Sequence, residues 1–322
     1  MNILIIRDNT RYLKPIMDYT DKHISEIKTL IPNAQINLIE DKKDIVDKYL
    51  PETDILVYSS FDYPDLVDFK IAKKLKWVHV TSAGASDTAS QLKSTTILLT
   101  NSSGVHPIPI SEHVFTYLLM FTRQFHTSYR TQIEEKKWMQ SYHFLPVSEL
   151  YEKTIGIVGF GRIGKQIAKL AKGFGMTVVT LTHQESETKG QFEEMLNTSD
   201  FVINCLPLTD ETYHLFTIDR FKQMKSSAYF INVGRGKTVV EDDLIHALKT
   251  RIITGAGLDV FEDEPLPKKS ELWNLKNVII TPHDAGWTPC YADRVINIFC
   301  SNLRAYLKHK PMPNLVDKEK GY

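Results

Sequence analysis

The stretch Thr154-Ile155-Gly156-Ile157-Val158-Gly159-Phe160-Gly161-Arg162-Ile163-Gly164 decides the fold. Its first five residues are mostly β-branched and read as a buried strand. Three glycines follow at GxGxxG spacing, and residues 165–172 continue as a helix. The first glycine permits a tight turn, the second lets backbone approach a pyrophosphate, and the third lets helix and strand pack closely. The first amides of the helix then face the phosphates. Alone, this spacing also fits a plain glycine-rich turn. Between a strand and a helix it points to a dinucleotide.

A dinucleotide fold carries an acidic residue after the next strand, where it holds the ribose hydroxyls. That strand is residues 177–181, and Thr182-His183 follows instead. Glu185 and Glu187 come later, and Lys189 stands farther on. No carboxylate is placed to repel a 2′-phosphate, which leans the cofactor choice from NAD toward NADP. In the other reading, Thr182 and His183 are ordinary loop residues and backbone contacts bind NAD.

Outward from this turn, short apolar runs alternate with amphipathic ones. Strands are expected at 3–6, 35–39, 54–58, 77–80 and 96–100, then at 154–158, 177–181, 201–206, 228–233, 255–260 and 278–281. Helices are expected at 21–30, 41–50, 65–75, 110–132 and 293–308, and the segment after Trp138, with Pro146, reads as a crossing loop. Strands separated by helices imply parallel sheets. The expected class is α/β, with two Rossmann-like or flavodoxin-like parallel-sheet domains and a cleft between them. Residues 101–283 form the dinucleotide-binding domain in this reading, and 1–100 with 284–322 form a second, outer domain.

Composition narrows the partners. In 322 residues, 39 Lys and Arg balance 39 Asp and Glu, so no net field draws nucleic acid or an anionic membrane. Cys205, Cys290 and Cys300 lack the CxxC spacing of a zinc site and are expected as reduced packing residues. The start of the chain meets charge too early for a signal peptide, and no apolar run nears the ~20 residues needed to cross a bilayer. A cytoplasmic protein that binds a small molecule, with no metal, is expected.

Three clusters follow strands of the second series: Asn232-Val233-Gly234-Arg235-Gly236, then Asp259-Val260-Phe261-Glu262-Asp263-Glu264-Pro265, then Thr281-Pro282-His283-Asp284-Ala285-Gly286. Hydride arriving at a carbonyl carbon leaves an oxygen that needs a proton, which a histidine supplies near neutrality. A carboxylate beside the ring fixes its tautomer, and a guanidinium fork holds the substrate carboxylate and polarises the carbonyl. Arg235, Glu264 and His283 suit these roles if they converge. Singly, each has a plain alternative: a surface ion pair, a solvated acidic loop and a turn cap.

These clusters, with Thr81-Ser82-Ala83-Gly84-Ala85, Gly159–Gly164 and Leu206-Pro207-Leu208-Thr209, resemble the D-isomer-specific 2-hydroxyacid dehydrogenase family in order and spacing. The resemblance covers nearly the whole chain. It implies NAD(P)-dependent interconversion of a small 2-oxo acid and its (R)-2-hydroxy acid, with Arg235 on the substrate, His283 as acid/base and Glu264 as its partner. It places Ala83 and Gly84 at the substrate carboxylate. Cofactor contacts are implied at Gly159, Gly161, Arg162, Ile163, Gly164, Thr182, His183, Pro207, Thr212, Val233, Asp259, His283 and Gly286, with Asp259 near the nicotinamide. A homodimer is implied too, and Trp138 lies where some relatives reach into the partner's cleft. Glyoxylate/hydroxypyruvate reductases and branched 2-oxo acid reductases are both among the short members. Glu264 stands where formate dehydrogenases carry glutamine, which argues against formate. Dinucleotide-sensing corepressors on the same scaffold keep these motifs, so a binding role is the alternative.

Overall fold

The computed structural model of the chain describes residues 1–7, 18–59, 66–138, 147–181 and 190–321. It contains two compact units, Met1–His106 with Trp287–Tyr322, and Pro107–Gly286. Both are α/β, and both sheets are wholly parallel.

The first unit contains β1 (Asn2–Arg7), α1 (Asp21–Leu30), β2 (Gln35–Glu40), α2 (Lys43–Tyr49), β3 (Ile55–Tyr58), β4 (Trp77–Val80), α3 (Ser86–Leu92) and β5 (Leu98–Thr100). The strand order is β2-β1-β3-β4-β5, a flavodoxin-like arrangement. β3 and β4 are buried at every position, as strands covered on both faces must be. The C-terminal helix, Tyr291–Leu307, lays Val295, Ile296, Phe299 and Leu303 on Ile3, Ile5 and Trp77. The Trp77 and Phe299 rings stack at 5.0 Å. Beyond this helix, Lys318 Nζ donates to the carbonyls of Leu92, Thr95 and Ile97, at 2.6 to 3.1 Å. One ammonium thus ties the C-terminal segment to three carbonyls between the end of α3 and the start of β5.

The helix expected over 65–75 is not formed in its described part, 66–75, which is a run of turns. Asp68 causes the difference. Its Oδ1 accepts the Lys70 amide at 3.0 Å and its carbonyl accepts Ile71 N at 3.2 Å, a local pattern that competes with a helix. Leu66, Val67, Ala72 and Leu75 still reach the core, so the apolar spacing imitates a helix.

The second unit continues with α4 (Pro107–Thr122), α5 (Phe125–Glu135), β6 (Thr154–Val158), α6 (Arg162–Gly173), β7 (Thr177–Leu181), α7 (Gln191–Thr198), β8 (Phe201–Asn204), α8 (Ile218–Gln223), β9 (Tyr229–Asn232), α9 (Glu241–Lys249), β10 (Gly255–Leu258) and β11 (Val278–Ile280). The sheet order is β11-β10-β9-β8-β6-β7. β6 lies between the next strand in sequence and β8, so the winding reverses at its carboxyl end, where open parallel sheets bind ligands. The single helix expected over 110–132 is two. Gln124 takes a left-handed φ of 55° between them, is buried, and donates from Nε2 to the Phe121 carbonyl at 3.0 Å. Pro146 lies outside the described residues. No helix among the described residues is long and apolar enough to cross a membrane.

Burial gives one histidine of the first unit a pH signature. His79 is fully buried, with Nδ1 2.8 Å from Thr100 Oγ1 and Nε2 3.1 Å from Ser102 Oγ. Loss of water pushes its pKa from 6.5 down to about 3. Between those values the unfolded chain binds a proton that the folded chain does not. Stability from this group is therefore present above pH 6.5 and lost as pH falls toward 3. From pH 7 to pH 5 the loss should be about 1–2 kcal/mol in urea unfolding, and His79→Gln should flatten that slope. Equal slopes for the two proteins would refute it.

Candidate active site

Two of the three turn glycines answer to the chain's own packing. Gly159 has φ +96°, and a Cβ there would lie 3.0 Å from the Cys205 carbonyl carbon. A Cβ on Gly164 would run into the Gly159 carbonyl, so the third glycine keeps α6 against its strand. Gly161 is different. It caps α6 with φ −79°, and a Cβ there would meet nothing within 4 Å. Glycine at this position leaves room directly over the helix N-terminus that no described protein atom takes up, which fits a pyrophosphate. Arg162, exposed, and Ile163, half-buried, complete the first turn.

The loop after β8 forms another part of this edge. Thr212 Oγ1 donates to the Pro207 carbonyl at 2.7 Å and accepts Thr209 N at 2.8 Å, so this hydroxyl fastens the loop. Pro207 is exposed and Val233 is buried. Thr182, His183, Glu185, Glu187 and Lys189 all lie outside the described residues.

β9, β10 and β11 are neighbours, and their carboxyl ends carry the three clusters. Arg235 turns out of β9 between glycines that the backbone requires. A Cβ on Gly234 would lie 2.6 Å from the Leu206 carbonyl oxygen, and one on Gly236 would overlap the Phe261 carbonyl. Buried Asn204 and Asn232 brace this turn. Asn204 Nδ2 donates to Asn232 Oδ1 and Thr238 Oγ1, and Asn232 Oδ1 accepts Gly234 N. The Arg235 side chain is exposed, donates from Nη1 to the Gly234 carbonyl at 2.7 Å, and pairs with no carboxylate among the described residues. It is not the surface ion pair that its turn position also allows.

Glu264 and His283 meet. His283 Nδ1 lies 2.6 Å from Glu264 Oε2, while Glu264 Oε1 accepts the Phe261 amide at 3.0 Å. The carboxylate accepts a hydrogen bond from Nδ1–H, leaving Nε2 as the nitrogen available for chemistry. His283 adopts a left-handed φ of 55°, a conformation that costs about 1–3 kcal/mol for a residue with a Cβ. Something must hold it there.

Asp259, 2% exposed, does so. Its Oδ1 accepts Asp284 N at 3.0 Å and the Thr281 hydroxyl at 2.6 Å, and its Oδ2 accepts Ala285 N at 3.1 Å. Two further side chains join this group, His113 and Tyr117 of α4, each bonded to Thr281 Oγ1. Sequence reading did not find them. The available signal was an imidazole and a phenol one helical turn apart, within a stretch otherwise apolar at Val114, Leu118 and Phe121.

In the first unit, Ala83 and Gly84 follow β4. Both carbonyls are occupied: Asn101 Nδ2 donates to Ala83 O at 2.9 Å, and Ser82 Oγ to Gly84 O at 2.6 Å. The two amides have no partner among the described residues, and a Cβ on Gly84 would meet nothing within 4 Å. Adjacent unspent amides in open space suit a carboxylate.

Residues 115–285 match the model of the D-isomer specific 2-hydroxyacid dehydrogenase family, NAD binding domain. A glyoxylate reductase of Pyrococcus horikoshii is 34% identical over 90% of this chain and 94% of its own length. The chain belongs to the D-isomer specific 2-hydroxyacid dehydrogenase family. It is an NAD(P)-dependent oxidoreductase of hydroxy acids. A solved family member from Aeromonas salmonicida is 32% identical with a TM-score of 0.80, covering 98% of this chain and 99% of its own. A probable 2-hydroxyacid dehydrogenase of Rhizobium etli, solved with NADP, HEPES and L(+)-tartaric acid, is 25% identical with a TM-score of 0.72 over all of both chains.

The open space over Gly161 gives this dehydrogenase a direct test. Gly161→Ala should lower the melting temperature by no more than a few degrees, because the added Cβ meets no protein atom within 4 Å and only the helix cap is weakened. Binding of NADH and NADPH should weaken about tenfold or more, measured by the fluorescence of the reduced nicotinamide. Wild-type affinity would show that the cofactor does not pass over this residue.

Proposed function

We propose that the enzyme reduces a small 2-oxo acid, of the glyoxylate or hydroxypyruvate class, to the (R)-2-hydroxy acid. The His283–Glu264 pair, a histidine with Nδ1 committed and Nε2 unspent, carries this reading. When bound, the reduced nicotinamide supplies the hydride. His283 gives its Nε2 proton to the carbonyl oxygen as charge develops there, while Glu264 holds Nδ1 and keeps the ring oriented. In the reverse direction neutral Nε2 takes the hydroxyl proton. Arg235 is assigned to the substrate carboxylate and to polarising the carbonyl, and the amides of Ala83 and Gly84 are assigned to substrate binding. On this assignment the unit containing residues 1–106 and 287–322 is the substrate domain, and that containing 107–286 is the dinucleotide domain.

Gly159, Gly161, Arg162, Ile163 and Gly164 are assigned to the pyrophosphate. Pro207, Thr212 and Val233 line its flank, and Asp259, His283 and Gly286 lie at the nicotinamide end. Thr182 and His183 are assigned to the adenosine ribose. With no carboxylate at either position, NADP is the preferred cofactor in this reading. The relatives named as glyoxylate reductases support the substrate class.

Oxidation of NADPH and NADH should be followed against glyoxylate, hydroxypyruvate, pyruvate and 2-oxoisocaproate. Turnover of at least one is expected. Cofactor binding with no turnover would favour the dinucleotide-sensing alternative. His283→Ala should reduce kcat by about two to four orders of magnitude, and an unimpaired variant would overturn the acid/base assignment.

A homodimer is part of the proposal. α5 exposes Phe125, Tyr129 and Ile133 at 68%, 64% and 57%, spaced four residues apart on one face, and Trp138 just beyond is 96% exposed. Such a stripe is costly to leave in water and fits a second copy of the chain, with Trp138 as part of the same interface. Sedimentation should give twice the 37.0 kDa chain mass, and Tyr129→Glu with Ile133→Glu should give monomer. A monomeric wild type would exclude the dimer.

A further inference from the structure

Thr281 has one hydrogen to give and two lone pairs with which to accept. Its Oγ1 donates to Asp259 Oδ1 at 2.6 Å, and an ionised carboxylate can only accept. The two remaining contacts, Tyr117 Oη at 2.5 Å and His113 Nε2 at 3.0 Å, must therefore donate to Thr281. That assigns the proton of His113 to Nε2 and fills every hydrogen-bonding position of the hydroxyl. His113 Nε2 is also 3.9 Å from Asp259 Oδ1, and His113, Asp259 and Asp284 bring one polar atom each within 4.8 Å of one another.

The backbone has been shaped to admit these helix residues. A Cβ on Gly257 of β10 would lie 2.6 Å from Cγ of the Tyr117 ring. Only glycine lets the phenol ring lie across the strand and reach Thr281. Burial also pushes the Tyr117 phenol far above its ordinary pKa, so it stays protonated as a donor. The chain of bonds runs from α4 through Thr281 to Asp259, then to the amides of Asp284 and Ala285, directly after His283.

We propose that Thr281, Tyr117 and His113 are positioning residues for the reaction. By fixing Asp259 they hold the His283 loop in its left-handed conformation and aim Nε2 at the substrate carbonyl. The inference rests on the reading of His283 as the acid/base. It assigns a role in the chemical step to two residues 164 and 168 positions away from Thr281.

Thr281→Val removes the hydroxyl but keeps the side-chain volume. It should lower kcat about ten- to hundredfold, because a small misaim of the proton donor acts on the chemical step. KM for the 2-oxo acid should stay within about threefold, since Arg235 and the Ala83-Gly84 amides are untouched. Thr281→Ser, which keeps the hydroxyl, should restore kcat to within about threefold of wild type. Tyr117→Phe should cost about three- to tenfold, and adding it to Thr281→Val should cost little more, because the two act through one oxygen. The inference is overturned if Thr281→Val and Tyr117→Phe keep wild-type kcat while His283→Ala is impaired. It is overturned equally if Thr281→Ser is as poor as Thr281→Val, which would make the methyl packing decisive. Should Thr281→Val fail to fold, Tyr117→Phe and Thr281→Ser decide alone. An unimpaired His283→Ala would instead remove the acid/base reading beneath it.

Discussion

A carboxylate buried to 2% exposure cannot remain without donors, and the donors that Asp259 recruits determine the shape of the site. It directly follows β10, the strand between β9 and β11. All four of its short side-chain contacts come from the β11 side, from three groups: the hydroxyl of Thr281 and the amides of Asp284 and Ala285. The hydroxyl precedes and the two amides follow His283, the residue whose backbone is strained. The cost of a left-handed His283 is of the same order as two hydrogen bonds to a charged group. The strain persists because satisfying Asp259 and releasing His283 are incompatible.

Close backbone approach is the second constraint. The turns after β8, β9 and β10 lie so near one another that side chains at Gly234 and Gly236 would collide with the carbonyls of Leu206 and Phe261. Arg235 lies between these contacts and points outward, since nothing inward can receive it. A guanidinium is charged at any physiological pH, and this one spends a single donor on the Gly234 carbonyl. Its remaining donors form a planar fork, the shape of a carboxylate's partner. A lysine would bring charge to the same place without that geometry.

The parallel strands were legible because apolar runs of four to six residues between glycine-rich turns have few other solutions. β6 and β7 begin and end where the pattern places them. Helix limits were harder to read. Residues 66–75 have helical spacing, but an aspartate captured the backbone first. Gln124 ended α4 by burying its own amide, which no periodicity records. Arg235, Glu264 and His283 stood out because each follows a strand and is chemically unusual there. His113 and Tyr117 did not, because what they do depends on Thr281, and nothing local links residues more than 160 positions apart. Asp259 was visible as a site residue, but its bonds to the following turn arise only when β10 and β11 pair.

This division explains which parts of the site lie on loops and which on rigid elements. The groups that would touch substrate follow strands, where turns can present them, but a turn alone is too soft to aim a proton donor. Stiffness comes from α4, a sixteen-residue helix whose buried face packs in the same core as β6, β8 and β9. Its contact with the site is a hydroxyl with no spare valence, so it transmits position without adding charge. The His283–Glu264 pair keeps its own hydrogen bond, while the core behind α4 fixes the direction of the loop that carries it.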